Sequence, residues 1–187
     1  PQVALDDAGN AIAVWYQSDG TRDNIWANRY QVGVGWGTAA LIEFDDVYGA
    51  DSPQLALDAA GNAFSIWCQS DGVRRNVMVN RYVAGAGWGT AAQIESINET
   101  AALDPAEIAV DAAGNAIAIW LFYDGTRNNV WANRYVAGFG WGTATVIESN
   151  NLGSAYGPKV ALDSTGNAVA VWMQSDGSLN HAWANRY

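Results

Sequence analysis

The sequence predicts an all-β repeat fold, with one four-stranded antiparallel sheet per repeat of about 52 residues and the sheets stacked face to face around an axis. Three observations predict it. One stretch, PQVALDDAGNAIAVWYQSDGTRDNIWANRY, opens the chain, and close variants begin at Pro53, Pro105 and Pro158. The aspartates that anchor the copies, Asp6, Asp58, Asp111 and Asp163, are therefore 52, 53 and 52 residues apart. Within a copy the apolar residues recur with a period of two and never at i, i+3, i+4, which is the pattern of strands. Glycine or another turn signal interrupts the pattern about every ten residues, which leaves no room for helices.

Each element of the first copy has its own reason. Gln2 to Leu5 reads as a short strand and ends at the turn Asp6-Asp7-Ala8-Gly9-Asn10. In Asp-x-x-Gly-Asn the aspartate can accept hydrogen bonds from the turn's own amides, and glycine supplies a positive φ. Ala11 to Gln17 alternates, with Ile12, Val14 and Tyr16 on one face and Ala11, Ala13 and Trp15 on the other. Asp19-Gly20 fits a hairpin turn, as do Asp71-Gly72, Asp124-Gly125 and Asp176-Gly177. Asn24 to Tyr30 reads as a third strand, Gly33 and Gly35 break it, and Thr38 to Glu43 reads as a fourth.

The second strand decides how the sheets assemble. Its large face repeats as Phe64/Ile66, Ile117/Ile119 and Val169/Val171, and its small face as alanines or Ser65 with Trp67, Trp120 and Trp172. Neither face is polar, so the strand needs cover on both sides. A two-sheet sandwich leaves one wet face per strand, whereas a radial stack covers both, large face on small face. The predicted fold is therefore a β-propeller, with blades 1–52, 53–104, 105–157 and an incomplete fourth at 158–187.

The run P-x-V-A-L-D-x-x-G-N-A-x-A-V-W resembles the blade opening of NHL-type bacterial propeller repeats, which implies that the first strand is innermost and the last outermost. On that pattern the chain carries three complete blades and a fourth, ending at Tyr187, without its outer strand. The third strand of that blade is then an edge free to pair. Three closures follow: a small four-bladed ring, two chains joined in an eight-bladed ring, or one part of a longer chain. Near-identical units have interchangeable interfaces, so a ring completed by association, a homo-oligomer, is the favoured expectation.

Composition narrows the function classes. Half of the residues are hydrophobic and 15% are charged, which excludes disorder as the default. Nineteen acidic residues stand against nine basic ones, a net charge of −10, so nucleic acid and anionic membranes are poor partners. Cys68, the single cysteine, replaces Tyr16, Leu121 and Met173 of the other copies and reads as a buried apolar residue. No apolar run approaches the roughly 18 residues of a membrane helix. A secreted or cell-surface location is expected.

Repeated binding sites are the sharper functional idea. Trp36, Trp88 and Trp141 each lie between glycines, in Gly-Trp-Gly-Thr, where the backbone leaves room for a ring to stack on the indole. The layout from I-A-V-W to G-V-G-W-G-T is similar to that of fucose-binding propeller lectins, and these tryptophans match that family's stacking tryptophan. The resemblance places the family's sugar-holding arginine and glutamate at Ala13 and Ala27, and no copy has a charged residue at either position. The alternative is that the tryptophans cap the core between blades. Arg22, Arg74 and Arg127 lie in the hairpin loops beside Asp19, Asp71 and Asp124, and form a second candidate ligand-binding set. By strand direction these loops share a face with the divergent linkers Glu43–Ser52, Glu95–Asp104 and Glu148–Gly157. Asn-Arg-Tyr, repeated at 28–30, 80–82, 133–135 and 185–187, reads as scaffold, with asparagine in a fixed hydrogen bond and arginine pinning blade to blade through an acidic neighbour.

Catalysis finds less support. His181 is the single histidine and stands where other copies have asparagine, so no Ser-His-Asp set can be placed. The segment from Ser18 to Trp26 loosely resembles the Asp-box of sialidase-like propellers, S-x-D-x-G-x-T-W, with different spacing. It recurs in near-equivalent versions, whereas an enzyme needs one asymmetric centre. No D-x-D-x-D-G calcium pattern occurs, and the Glu43-Phe44-Asp45-Asp46 cluster reads as a solvated linker. The expectation is a non-enzymatic, multivalent, lectin-like module for glycan or protein, without cofactor or metal. The alternatives are a self-assembling scaffold without a small ligand, and a sialidase-like hydrolase fragment.

Overall fold

The computed structural model describes residues 1–43, 47–95, 102–150 and 152–187. Among them there are strands and turns and no helix. Sheet 1 contains β1 (Gln2–Leu5), β2 (Ala11–Ser18), β3 (Asp23–Gln31), β4 (Gly35–Trp36) and β5 (Ala40–Leu41). Sheet 2 contains β6 (Ala50–Leu57), β7 (Ala63–Ser70), β8 (Arg75–Val83), β9 (Gly87–Trp88) and β10 (Ala92–Gln93). Sheet 3 contains β11 (Ala102–Val110), β12 (Ala116–Tyr123), β13 (Asn128–Val136), β14 (Gly140–Trp141) and β15 (Thr145–Val146). Sheet 4 contains β16 (Ala155–Leu162), β17 (Ala168–Ser175) and β18 (Asn180–Arg186). All pairings are antiparallel, and each sheet runs as a meander in chain order. This is the predicted propeller architecture.

Two details differ from the sequence reading. The outer strand begins at Gly35 rather than Thr38 and is split, with Trp36 paired to Tyr30 and Leu41 paired to Trp26. Between the pieces the Gly37 amide donates to the Arg29 carbonyl, which swings the chain away before it rejoins β3. The inner strands of sheets 2 to 4 also start upstream of the repeat boundary, each with an irregularity in register, as between Asp51 and Gln54. Pro53 sits in that irregularity, where its missing N–H costs no ladder bond. In the third copy Ala106 takes the buried place of Pro53 and Pro158, because this copy carries one extra residue ahead of Asp111.

The anchoring aspartates build turns, as their motif predicted. The Asp6 carboxylate accepts from the Ala8 and Asn10 amides at 3.0 and 2.8 Å and from Asn10 Nδ2 at 2.8 Å. Asp58, Asp111 and Asp163 repeat the pattern. Glycine is required three residues on because its φ is positive, +81° at Gly9.

Packing follows the predicted rule of large face on small face. Ile12, Val14 and Ile25 of sheet 1 meet Ala63, Trp67 and Tyr82 of sheet 2. Phe64, Ile66, Cys68 and Val77 meet Ala116, Ala118 and Trp120. Ile117, Ile119, Leu121 and Val130 meet Ala168, Ala170 and Trp172. Cys68 is buried in the second of these junctions. The repeated asparagine latches each junction: Nδ2 of Asn80, Asn133 and Asn185 donates to the carbonyl of Ile42, Ile94 and Ile147 on the preceding sheet, at 2.8, 2.8 and 2.7 Å. The arginine also crosses between sheets, but to different partners than expected. Arg134 donates to the Gly166 carbonyl at 2.7 Å, and Arg81 lies over the Phe64 and Tyr135 rings at 5.5 Å each. The four sheets form an open arc, with the outward faces of sheets 1 and 4 exposed.

Candidate functional site

The hairpin set is built first by its own backbone. Asp19 Oδ1 accepts from the Thr21 amide and hydroxyl at 2.7 and 2.6 Å and from the Arg22 amide at 3.1 Å, while Oδ2 accepts from Asn24 Nδ2 at 3.1 Å. Asp124 repeats these bonds with Thr126, Arg127 and Asn129. These bonds, led by the threonine hydroxyls, hold both carboxyls far below the usual carboxylate range. Asp71 falls less far, to about 2, through the Arg74 and Val73 amides, because Val73 offers no hydroxyl. Arg22, Arg74 and Arg127 pair back onto these aspartates at 4.0, 3.4 and 3.8 Å. Arg74 and Arg127 also donate to Asn76 and Asn129. His181 substitutes for that asparagine, with Nε2 at 3.0 Å from Asp176 Oδ2. Most of this chemistry is spent inside the hairpins.

The tryptophans lie elsewhere. Trp141 pairs with Tyr135 near the end of β13, whereas Arg127 precedes its first residue, Asn128. Eight residue steps at about 3.3 Å each put Arg127 about 26 Å along the strand from Tyr135. The two candidate sets therefore do not converge within a sheet. The described parts of the linkers do lie beside the hairpins: the Tyr48 ring lies against Gly72, and Asn150 Nδ2 donates to the Ser175 carbonyl. Phe44, Asp45 and Asp46 lie outside the described residues.

Each tryptophan packs edge to face on the tyrosine of Asn-Arg-Tyr, with ring centroids 5.6, 5.5 and 5.6 Å apart for Trp36, Trp88 and Trp141. Trp88 and Trp141 also lean on the neighbouring sheet and are half-buried, while Trp36, with no sheet before it, is exposed. Trp88 and Trp141 thus cap the core between sheets and still present part of the indole at its surface. Beside Trp141, between sheets 2 and 3, lies a cleft of about 270 Å³ lined by Gln93, Ile94, Glu95, Asn133 and the turn Trp141 to Ala144. The same positions at the junction of sheets 1 and 2 are Leu41, Ile42, Glu43, Asn80 and Trp88 to Ala91.

The polar side of this cleft escaped the sequence reading. Glu95 is buried, accepts from the Val77 amide at 2.8 Å and from Gln93 Nε2 at 2.9 Å, and its carboxyl is pushed up by burial against those bonds. Asn133 spends Nδ2 on Ile94 and Gly142, and its buried Oδ1 accepts no hydrogen bond from the described residues. The only signal in the sequence was the threefold Ile-Glu at 42–43, 94–95 and 147–148, which ends each outer strand.

No protein-family model and no curated protein sequence matches the chain. Solved structures do match it in fold. A protein of unknown function from Dyadobacter fermentans superposes with a TM-score of 0.64 at 11% identity, over 98% of this chain and 51% of that one. An ulvan lyase of the polysaccharide lyases, bound to a GlcA–Rha3S fragment, gives 0.61 at 13% identity, over 98% and 54%. An endo-arabinase from Bacteroides thetaiotaomicron gives 0.54 at 14% identity, over 99% and 73%. The chain spans about half the length of the first two. At such identities the likeness is one of fold.

These neighbours correct the expectation that the chain is no enzyme. Near-equivalent repeats argued against one asymmetric catalytic centre, yet a lyase and an arabinase share this repeated arrangement of sheets. Repetition of the scaffold is thus compatible with catalysis. Neither resemblance read from the sequence, to NHL-type repeats or to fucose-binding lectins, is carried by a family match. Of the fucose-lectin positions Ala27 is buried, and the equivalents of Ala13 at Ser65 and Ala118 are fully buried too, so neither an arginine nor a glutamate stands there to hold a sugar.

Proposed function

We propose that this chain is a carbohydrate-recognising propeller that seats a saccharide ring in the clefts between its sheets. The observation that supports the reading is the cleft between sheets 2 and 3, where the half-buried indole of Trp141 faces the amides and carboxylate of Gln93, Glu95 and Asn133. An aromatic wall with a few fixed polar groups suits the C–H face and hydroxyl rim of a sugar. At about 270 Å³ the cleft is close to the lower bound of ligand sites, about 300 Å³, so it suits one ring of a chain. Repetition at the first junction adds multivalency for a polymeric glycan. The neighbours named as an ulvan lyase and an endo-arabinase act on such polymers, which adds support from the fold.

The test is titration of the chain with ulvan fragments, arabinan and sialyllactose, followed by a wider glycan array. Trp88→Ala with Trp141→Ala is expected to weaken binding about tenfold or more, equivalent to about 1.4 kcal/mol. Because both rings touch the core, Gln93→Ala serves as the second variant: its side chain is exposed and its removal leaves packing intact. No binding to any glycan, or binding indifferent to all three substitutions, would overturn the reading.

A further inference from the structure

Three junctions inside the chain show what the two outer faces are made to meet. At each, the large face of one sheet covers the small face of the next. Sheet 4 presents that large face uncovered: Val169, Val171 and Met173 are 49%, 43% and 43% exposed. Their counterparts Ile117, Ile119 and Leu121 are buried. Sheet 1 presents the small face uncovered, with Val3 and Leu5 60% and 65% exposed around Ala13 and Trp15. Their counterparts Leu55 and Leu57 pack against the preceding sheet.

We propose that a second copy of this chain docks head to tail, the large face of sheet 4 covering the small face of sheet 1, and that two such junctions close an eight-sheet ring. The fit extends to polar detail. Inside the chain the Gly166 turn of sheet 4 docks on Asp111 of sheet 3, and Arg134 donates to the Gly166 carbonyl. On sheet 4 the equivalent Asp163, Asn167 and Arg186 line an open recess of about 460 Å³ with Ala161 and Val169. The residue that corresponds to Gly166 is Gly9, on the exposed end of sheet 1. Arg186 is therefore placed to donate to the Gly9 carbonyl of the second copy. Contiguous exposed apolar faces seldom stay uncovered on a monomer, and a heterologous contact closes a ring when its rotation permits. This inference is independent of saccharide binding.

Sedimentation equilibrium of the 187-residue chain, together with Leu5→Glu and Val171→Glu, tests it. Both substitutions fall on exposed side chains, so each variant should keep its strand signal in circular dichroism. The unaltered chain is expected at twice the 19.9 kDa monomer mass, and each variant alone at the monomer mass. Mixing the two variants restores one good junction, between the intact large face of Leu5→Glu and the intact small face of Val171→Glu, so the mixture should regain dimer. An unaltered chain that stays monomeric at every concentration overturns the proposal. So does a variant that dimerises alone, which would mean a symmetric like-to-like contact. An assembly larger than a dimer that both variants abolish overturns the closed two-copy ring.

Discussion

Replacing Asn133 by alanine separates the work of the inter-sheet latch from that of strand propensity. Asn133 is 2% exposed, and its Nδ2 donates across the junction to the Ile94 carbonyl at 2.8 Å and within its own sheet to the Gly142 carbonyl at 3.1 Å. Truncation removes both bonds and strands the buried Ile94 carbonyl, while the Gly142 carbonyl lies in a part-buried setting. Stranding the first costs about 1–3 kcal/mol and losing the second bond about 1 kcal/mol, so the substitution is expected to cost about 2–4 kcal/mol. For a chain of this length that lowers Tm by about 4–16 °C, at about 2–4 °C per kcal/mol. The repeat supplies its own control. Asn28 occupies the same strand position but has no sheet before it, and its Nδ2 reaches only the Gly37 carbonyl, at 3.1 Å in an exposed setting. Asn28→Ala should therefore cost about 1 kcal/mol or less. Urea unfolding of both variants measures the contrast, with amide exchange reporting whether the junction of sheets 2 and 3 opens first. Equal losses in the two variants would refute the latch and assign the asparagine's repetition to local conformation.

Further substitutions use the irregularities among copies. Trp67 Nε1 donates to Gln69 at 3.1 Å, but Phe122 replaces that glutamine in sheet 3, and the buried Trp120 Nε1 has no hydrogen-bond partner among the described residues. Trp67→Phe should then destabilise by about 1–2 kcal/mol more than Trp120→Phe in denaturant titrations, since only the former strands an amide. Val73→Thr adds the hydroxyl that the other hairpins use, so the Asp71 titration point, followed by carboxyl NMR, should fall below its present value of about 2. An unmoved titration would remove the threonine hydroxyl from the explanation. Glu95 is raised by burial, so its contribution to stability is full below the unfolded value, near pH 4.3, and is lost as pH rises through the higher folded value. Glu95→Gln should abolish that loss, so the stability difference between variant and parent grows from pH 4 towards neutrality; a difference independent of pH would contradict the buried carboxylate.

Much of the architecture was legible because its determinants are local. Period two set β2 and its repeats, and Asp-x-x-Gly-Asn set the turn before them, since both depend on neighbours within ten residues. Two-sided burial of β7 and β12 went further and specified the stacking, because a strand without a polar face admits few arrangements. What escaped was set by the adjacent sheet. Glu95 reads as the first residue of a divergent acidic linker, yet the chain folds back against β8 and buries it on the Val77 amide. Arg134 donates to a backbone carbonyl of the next sheet, because the Gly166 turn of that sheet lies within its reach. The split of the outer strand was hidden for a similar reason. Gly37 has no side chain to announce that its amide turns back to Arg29.

The same logic sorts the candidate ligand residues. Repetition alone gave Trp36, Trp88 and Trp141 equal standing, but a cleft needs two walls, and the second wall is the Ile-Glu end of the preceding sheet's outer strand. Trp88 has Ile42 of sheet 1 for that wall, and Trp141 has Ile94 and Glu95 of sheet 2. Trp36 has none within the chain. Docking of a second copy would cover the apolar face around Leu5 without supplying an outer strand, because β18 is the last strand of sheet 4. Valence and assembly are therefore separable: calorimetric titration with a saccharide ligand should return two sites per chain in both the assembled form and the Leu5→Glu monomer. A third site appearing only on assembly would mean that the aromatic face alone, without the Glu-bearing wall, is enough to bind.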